Sequence, residues 1–133
     1  MSGSAREEFV AGIEPRFVAL VLALDEAVRS TGIAFDVAVR YRMLTYALGG
    51  DFAHWICAID ATPRRSGRDV CIRFLFGYLL TDPRRVFRGA KTSPLRTMDI
   101  ASLADLDSGL VGAYVAEAVA RLDDFRKAGR GRG

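Results

Sequence analysis

Apolar residues recur at helical spacing near both ends of this chain, and at alternate positions in between. Phe17, Leu20, Val21, Leu24 and Val28 share one helical face. They predict a helix from Pro15 to Ser30, with Pro15 in the first turn, where a missing N–H costs nothing. Thr31-Gly32 predicts its end, because glycine readily takes the left-handed conformation that closes a helix. A second stripe holds Val111, Tyr114, Val115, Ala118, Val119, Leu122 and Phe125. It predicts one core-facing helix from Gly109 to Lys127, capped by Asp107 or Ser108.

The middle of the chain has a strand texture. Val37 to Leu48 alternates around Arg40 and Arg42 and predicts a half-buried strand, although Phe35 to Val39 also suits a helical turn. Gly49-Gly50-Asp51 predicts a turn, and Phe52 to Asp60 the next strand. Asp69 to Leu80 predicts a third. It sets Val70, Ile72, Phe74 and Phe76 on one face and Cys71, Arg73, Leu75 and Gly77 on the other. Arg73 marks the second face as partly wet. Thr81-Asp82-Pro83 opens a turn or single helical turn running to Arg88. Gly89 to Pro94 reads as an irregular loop and Leu95 to Ala101 as a fourth strand.

Helix, antiparallel strands, helix is the order of an α+β two-layer sandwich. The expected sheet has four to five mainly antiparallel strands, with the N- and C-terminal helices packed on one face. Residues 1–14 read as a flexible N-terminus, 15–127 as a single domain and 128–133 as a disordered tail. The 133-residue length suits one core, and a hydrophobic fraction of 50% suits a folded chain. No secretory pattern opens the sequence, and apolar runs such as 17–24 are too short to span a bilayer. A cytoplasmic protein without membrane contact is the expectation.

Charge is unevenly spread. The run from Arg64 to Arg96 holds nine basic and two acidic side chains, a net +7 against +3 for the whole chain, so the remainder carries −4. Such asymmetry suggests an anionic partner. Within the run, Arg88, Gly89, Lys91 and Arg96 converge on one loop and form a candidate anion site, where cations and loop N–H groups favour negative charge. The bland alternative is a loop whose cations pair with Asp82 and Asp99. Nucleic acid is a weaker expectation, since the nearby aromatics alternate as core residues and no recognition motif is present.

Catalytic chemistry finds little support. Nucleophilic catalysis needs a base, and His54 is the only histidine. No nucleophile-elbow motif occurs, and RGAKTSP lacks the spacing of a phosphate-binding loop. Cys57 and Cys71 fall on neighbouring strands and read as buried, reduced thiols. One histidine and two cysteines do not complete a zinc set, and no ridge of acids is visible, so neither metal nor cofactor is expected.

Several short motifs carry a family likeness. Phe74-Leu75-Phe76-Gly77, Asp82-Pro83, Gly89-Ala90-Lys91 and Arg96-Thr97-Met98-Asp99-Ile100 fall in order, after Tyr46 and Gly50-Asp51-Phe52 and before a closing helix. Over residues 15–125 the chain resembles the YdhG-like domains of unknown function; Ala90 replaces the second loop glycine of that family. The resemblance implies a small intracellular sandwich, in most members without an assigned activity. It also implies an alternative role, since one branch of the family is described as a frataxin-like iron chaperone. The leading expectation is a non-enzymatic binding or scaffold domain that holds a small anionic ligand.

Overall fold

The computed structural model describes residues 2–82 and 84–131. Pro83, and with it part of the expected Asp82-Pro83 turn, lies outside the described residues, as do the last two residues of the expected tail. The class is α+β. Helices α1 (Ser2–Ala11) and α2 (Val18–Arg29) precede a six-stranded antiparallel sheet, and α3 (Ser108–Ala120) and α4 (Leu122–Gly131) follow it. The strands are β1 (Asp36–Arg40), β2 (Met43–Ala47), β3 (Cys57–Ala61), β4 (Val70–Phe74), β5 (Phe87–Arg88) and β6 (Arg96–Asp99). Their order across the sheet is β1-β2-β3-β4-β6-β5.

Strand alternation divides the sheet cleanly. Leu44, Tyr46, Ile59, Ile72, Phe74 and Met98 face the helices and form one core with Val21, Leu24, Val28, Val111 and Val115. That layer also holds a polar tie. Asp25 of α2 is buried, accepts the Tyr46 hydroxyl at 2.6 Å, and pairs with Arg6 of α1 at 3.3 Å. A buried carboxylate persists only with such partners. The opposite face provides its own cover. Trp55 lies with Ala47 and Ala58, flanked by Met43, Phe52, Leu75 and Leu95, and the Arg40 guanidinium sits 4.8 Å from the Phe52 ring. Arg73, on this face as expected, is partly exposed and pairs with Asp60 at 3.3 Å.

Several elements differ from the sequence expectation. The N-terminal residues, expected to be flexible, form α1, because Ala5 and Phe9 lie one turn apart and bury one face of the helix, mainly against β1. The single strand expected over 37–48 is a hairpin. Tyr41 and Arg42 form its two-residue turn at φ 57° and 62°. Such turns favour Asn-Gly, because both positions are left-handed, so Tyr-Arg gave no turn signal.

The strand expected from Phe52 begins as a 3-10 turn over Phe52–His54, closed where the His54 N–H meets the Asp51 carbonyl at 3.2 Å. The β4 strand stops at Phe74 rather than Leu80, and a 3-10 turn over Gly77–Leu79 follows. The stretch to Arg88, expected as a turn or single helical turn, holds a turn in which the Arg85 N–H donates to the Asp82 carbonyl at 3.1 Å, and a short edge strand over Phe87–Arg88 follows it. The final helix breaks at Arg121, whose φ of −96° and ψ of 0° leave the α region, while its side chain reaches the Leu79 carbonyl at 3.2 Å. Cys57 and Cys71 are free and buried on adjacent strands but on opposite faces, paired in register with Phe74 and Asp60.

The hairpin tip supplies a prediction. Two non-glycine residues at positive φ store strain of about 1–2 kcal/mol each. Replacing Tyr41 with Asn and Arg42 with Gly together is expected to raise the melting temperature by several degrees. An unchanged or lower melting temperature would refute the strain.

Candidate functional site

Close backbone approach builds the 89–96 loop around Arg96. A Cβ at Gly77 would lie 2.5 Å from the Cβ of Arg96, and one at Gly89 would lie 2.6 Å from the Leu95 carbonyl oxygen. Both positions therefore need glycine for contact rather than for a left-handed backbone. Arg96 Nη1 donates to the carbonyls of Ala90, Ser93 and Leu95 at 3.2, 2.6 and 2.8 Å. Three carbonyl dipoles thus turn toward one guanidinium. The Tyr78 N–H, from the 3-10 turn after β4, donates to the Pro94 carbonyl at 3.1 Å and fastens the loop to its neighbour.

Beside this loop lies a groove of about 360 Å³. Lys91, Thr92, Ser93 and Arg96 line it. Tyr78 and Phe125 supply aromatic walls, with Pro94 and Ala128 completing the lining. Among the described residues no carboxylate lines it. Three other grooves carry carboxylates, from Asp69 in one, Asp99, Asp105 and Asp107 in another, and Glu8 and Glu14 in a third, while a groove between Arg29 and Tyr46 also has none among its described lining residues but presents no lysine or hydroxyl of serine or threonine. Lys91 is exposed at the rim. A groove that presents an ammonium and hydroxyls, with its loop carbonyls held by a guanidinium, favours negative charge on a ligand.

The four residues singled out in the sequence do not all meet here. Gly89, Lys91 and Arg96 belong to one loop. Arg88 does not line the groove; it lies on the helix-free face, bidentate to Asp99 at 2.6 and 2.9 Å. That pairing raises the Arg88 pKa above its ordinary value. Asp82 takes no cation from the loop. It accepts the N–H groups of Val86 and Phe87 and the Tyr114 hydroxyl.

Sequence reasoning missed Tyr78 and Phe125. The helical stripe did mark Phe125, but as core. Its ring stacks on buried Phe76 at 4.7 Å and also borders the groove. His54 supports it from another side, ring edge to ring at 5.7 Å. His54 Nδ1 lies 2.9 Å from Asp51, which also accepts from Arg126 of α4 at 2.7 Å. These contacts, led by Arg126, hold the Asp51 carboxyl below its ordinary pKa. His54 is thus a brace between the β2–β3 connection and α4.

The basic run is largely neutralised. Arg64 and Arg73 meet Asp60, Arg68 and Arg88 meet Asp99, and Arg84 meets Asp107. Among the described residues no three His, Cys, Asp or Glu side chains gather to hold a metal ion, and no helix is long and apolar enough to cross a membrane. Comparison with protein-family models, with curated proteins and with solved structures returns no match.

Proposed function

We propose that this chain is a non-enzymatic binding domain of YdhG-like type that takes a small oxyanion in the groove beside Lys91. The observation that carries this reading is the groove lining: Lys91, Thr92, Ser93 and Arg96 with no carboxylate among the described lining residues. Lys91 provides a mobile charge and the two hydroxyls provide neutral donors. Arg96 acts through the loop. By holding three carbonyls it keeps their negative ends from an incoming anion. Arg88 has no part in this reading, because Asp99 occupies its guanidinium.

Ligand-linked stability tests the proposal. A ligand at 100 times its Kd adds about 2.7 kcal/mol to a folded protein. Phosphate and sulfate, titrated against chloride at matched ionic strength, should raise the melting temperature of the wild type. Lys91→Ala should remove most of that rise and leave the melting temperature without ligand nearly unchanged, since Lys91 is exposed. Equal responses in the two proteins would overturn the assignment.

A further inference from the structure

The groove is larger than a bare inorganic anion requires, and two of its eight described lining residues are aromatic. We infer that its ligand is a planar aromatic ring bearing the oxyanion, an inference that rests on the anion reading above. Three observations support it. The volume of about 360 Å³ falls within the range of sites for small organic molecules. The Phe125 ring is fixed before any ligand arrives, stacked on Phe76 at 4.7 Å with an interplanar angle of 18° and braced edge-on by His54. Tyr78 stands on the same groove, 38% exposed, with its backbone anchored to Pro94.

A preorganised aromatic surface loses little conformational freedom on binding, so contact with a flat ring is not offset by ordering. The polar side of the groove then fixes the orientation. The oxyanion meets Lys91, Thr92 and Ser93, while the ring lies toward Tyr78 and Phe125. An aliphatic anion of the same charge would gain the first set of contacts and not the second. The specificity of the groove therefore belongs to the aromatic residues, and its charge preference to the loop.

Calorimetric titration with phenyl phosphate and methyl phosphate separates the two levels. The wild type should bind phenyl phosphate about tenfold more tightly than methyl phosphate, the range expected of a single aromatic contact. Tyr78→Ala combined with Phe125→Leu should remove most of that advantage, whereas Tyr78→Phe alone should keep it. Equal affinity for both esters in the wild type would overturn the aromatic inference and leave the anion site standing. A preference for phenyl phosphate that survives the double variant would overturn it as well, because the ring would then lie elsewhere. No binding of either ester would overturn the anion site itself.

Discussion

Ile72→Asp is expected to abolish cooperative folding. Ile72 is fully buried at the centre of the sheet, with Ile59 and Met98 opposite it on the two neighbouring strands. Neither neighbour offers a hydrogen bond or a countercharge. Losing the burial of one such side chain costs about 1.5–3 kcal/mol, and a carboxylate left without partners in that position costs several more. A domain of this size has roughly 5–15 kcal/mol in total. Circular dichroism of the variant should show no native melting transition. Ile72→Val, which removes one methyl group, should fold and lose only about 0.5–1.5 kcal/mol. A near-normal melt of the aspartate variant would mean that the core is not centred on this strand.

The second large effect is steep loss of stability in alkali. Tyr46 and Cys57 face each other across β2 and β3, and both are fully buried. Burial raises the pKa of each above its ordinary value, and the neighbouring Asp25 carboxylate raises Tyr46 further. In the unfolded chain the thiol and phenol titrate near their ordinary values of roughly 8.5 and 10. Above those values the unfolded chain loses protons that the folded chain keeps. The folded state then binds more protons, so stability falls as pH rises, by about 1.4 kcal/mol per unit for each group.

At pH 11 the pair together should have removed roughly 5 kcal/mol relative to pH 8. Cys71 and Tyr114 are displaced in the same direction, chiefly by burial, and steepen the fall. Urea denaturation at pH 8, 9.5 and 11 measures it. The double variant Tyr46→Phe, Cys57→Ala should start less stable, because Asp25 loses a hydrogen bond, yet show a clearly shallower decline. An identical decline in both proteins would refute the assignment to this pair.

The tie between Asp25 and Tyr46 was not legible in the sequence. Asp25 lies among the apolar positions of α2, where periodicity alone leaves it looking like an ordinary surface acid. The fold instead places a buried phenol 2.6 Å away and an arginine from α1 at 3.3 Å. Tyr78 and Phe125 present the same difficulty. They are 47 positions apart in the chain, and no local pattern relates them. Their shared groove forms because Gly77 lets the chain pass close to Arg96 and because α4 returns its Phe125 ring onto Phe76.

By itself the sequence determined the α+β class, the body of α2 with its stop at Gly32, a cap of α3 at Asp107 or Ser108, and the core-facing sides of the central strand and of both stripes; the fold chose Asp107 as the cap and made Pro15–Phe17 a 3-10 turn ahead of α2. These depend on spacing and on the conformational preferences of single residues, and both act over a few neighbouring positions. The tertiary structure decided the two-residue hairpin at Tyr41-Arg42, the ordering of α1 and the fate of the basic run. Most of that run's arginines meet Asp60, Asp99 and Asp107, which all lie outside it in the chain. Electrostatic pairing follows distance in space, and antiparallel strands bring together charges that the sequence keeps apart. The loop around Lys91 borders a groove without a countercharge among its described lining residues.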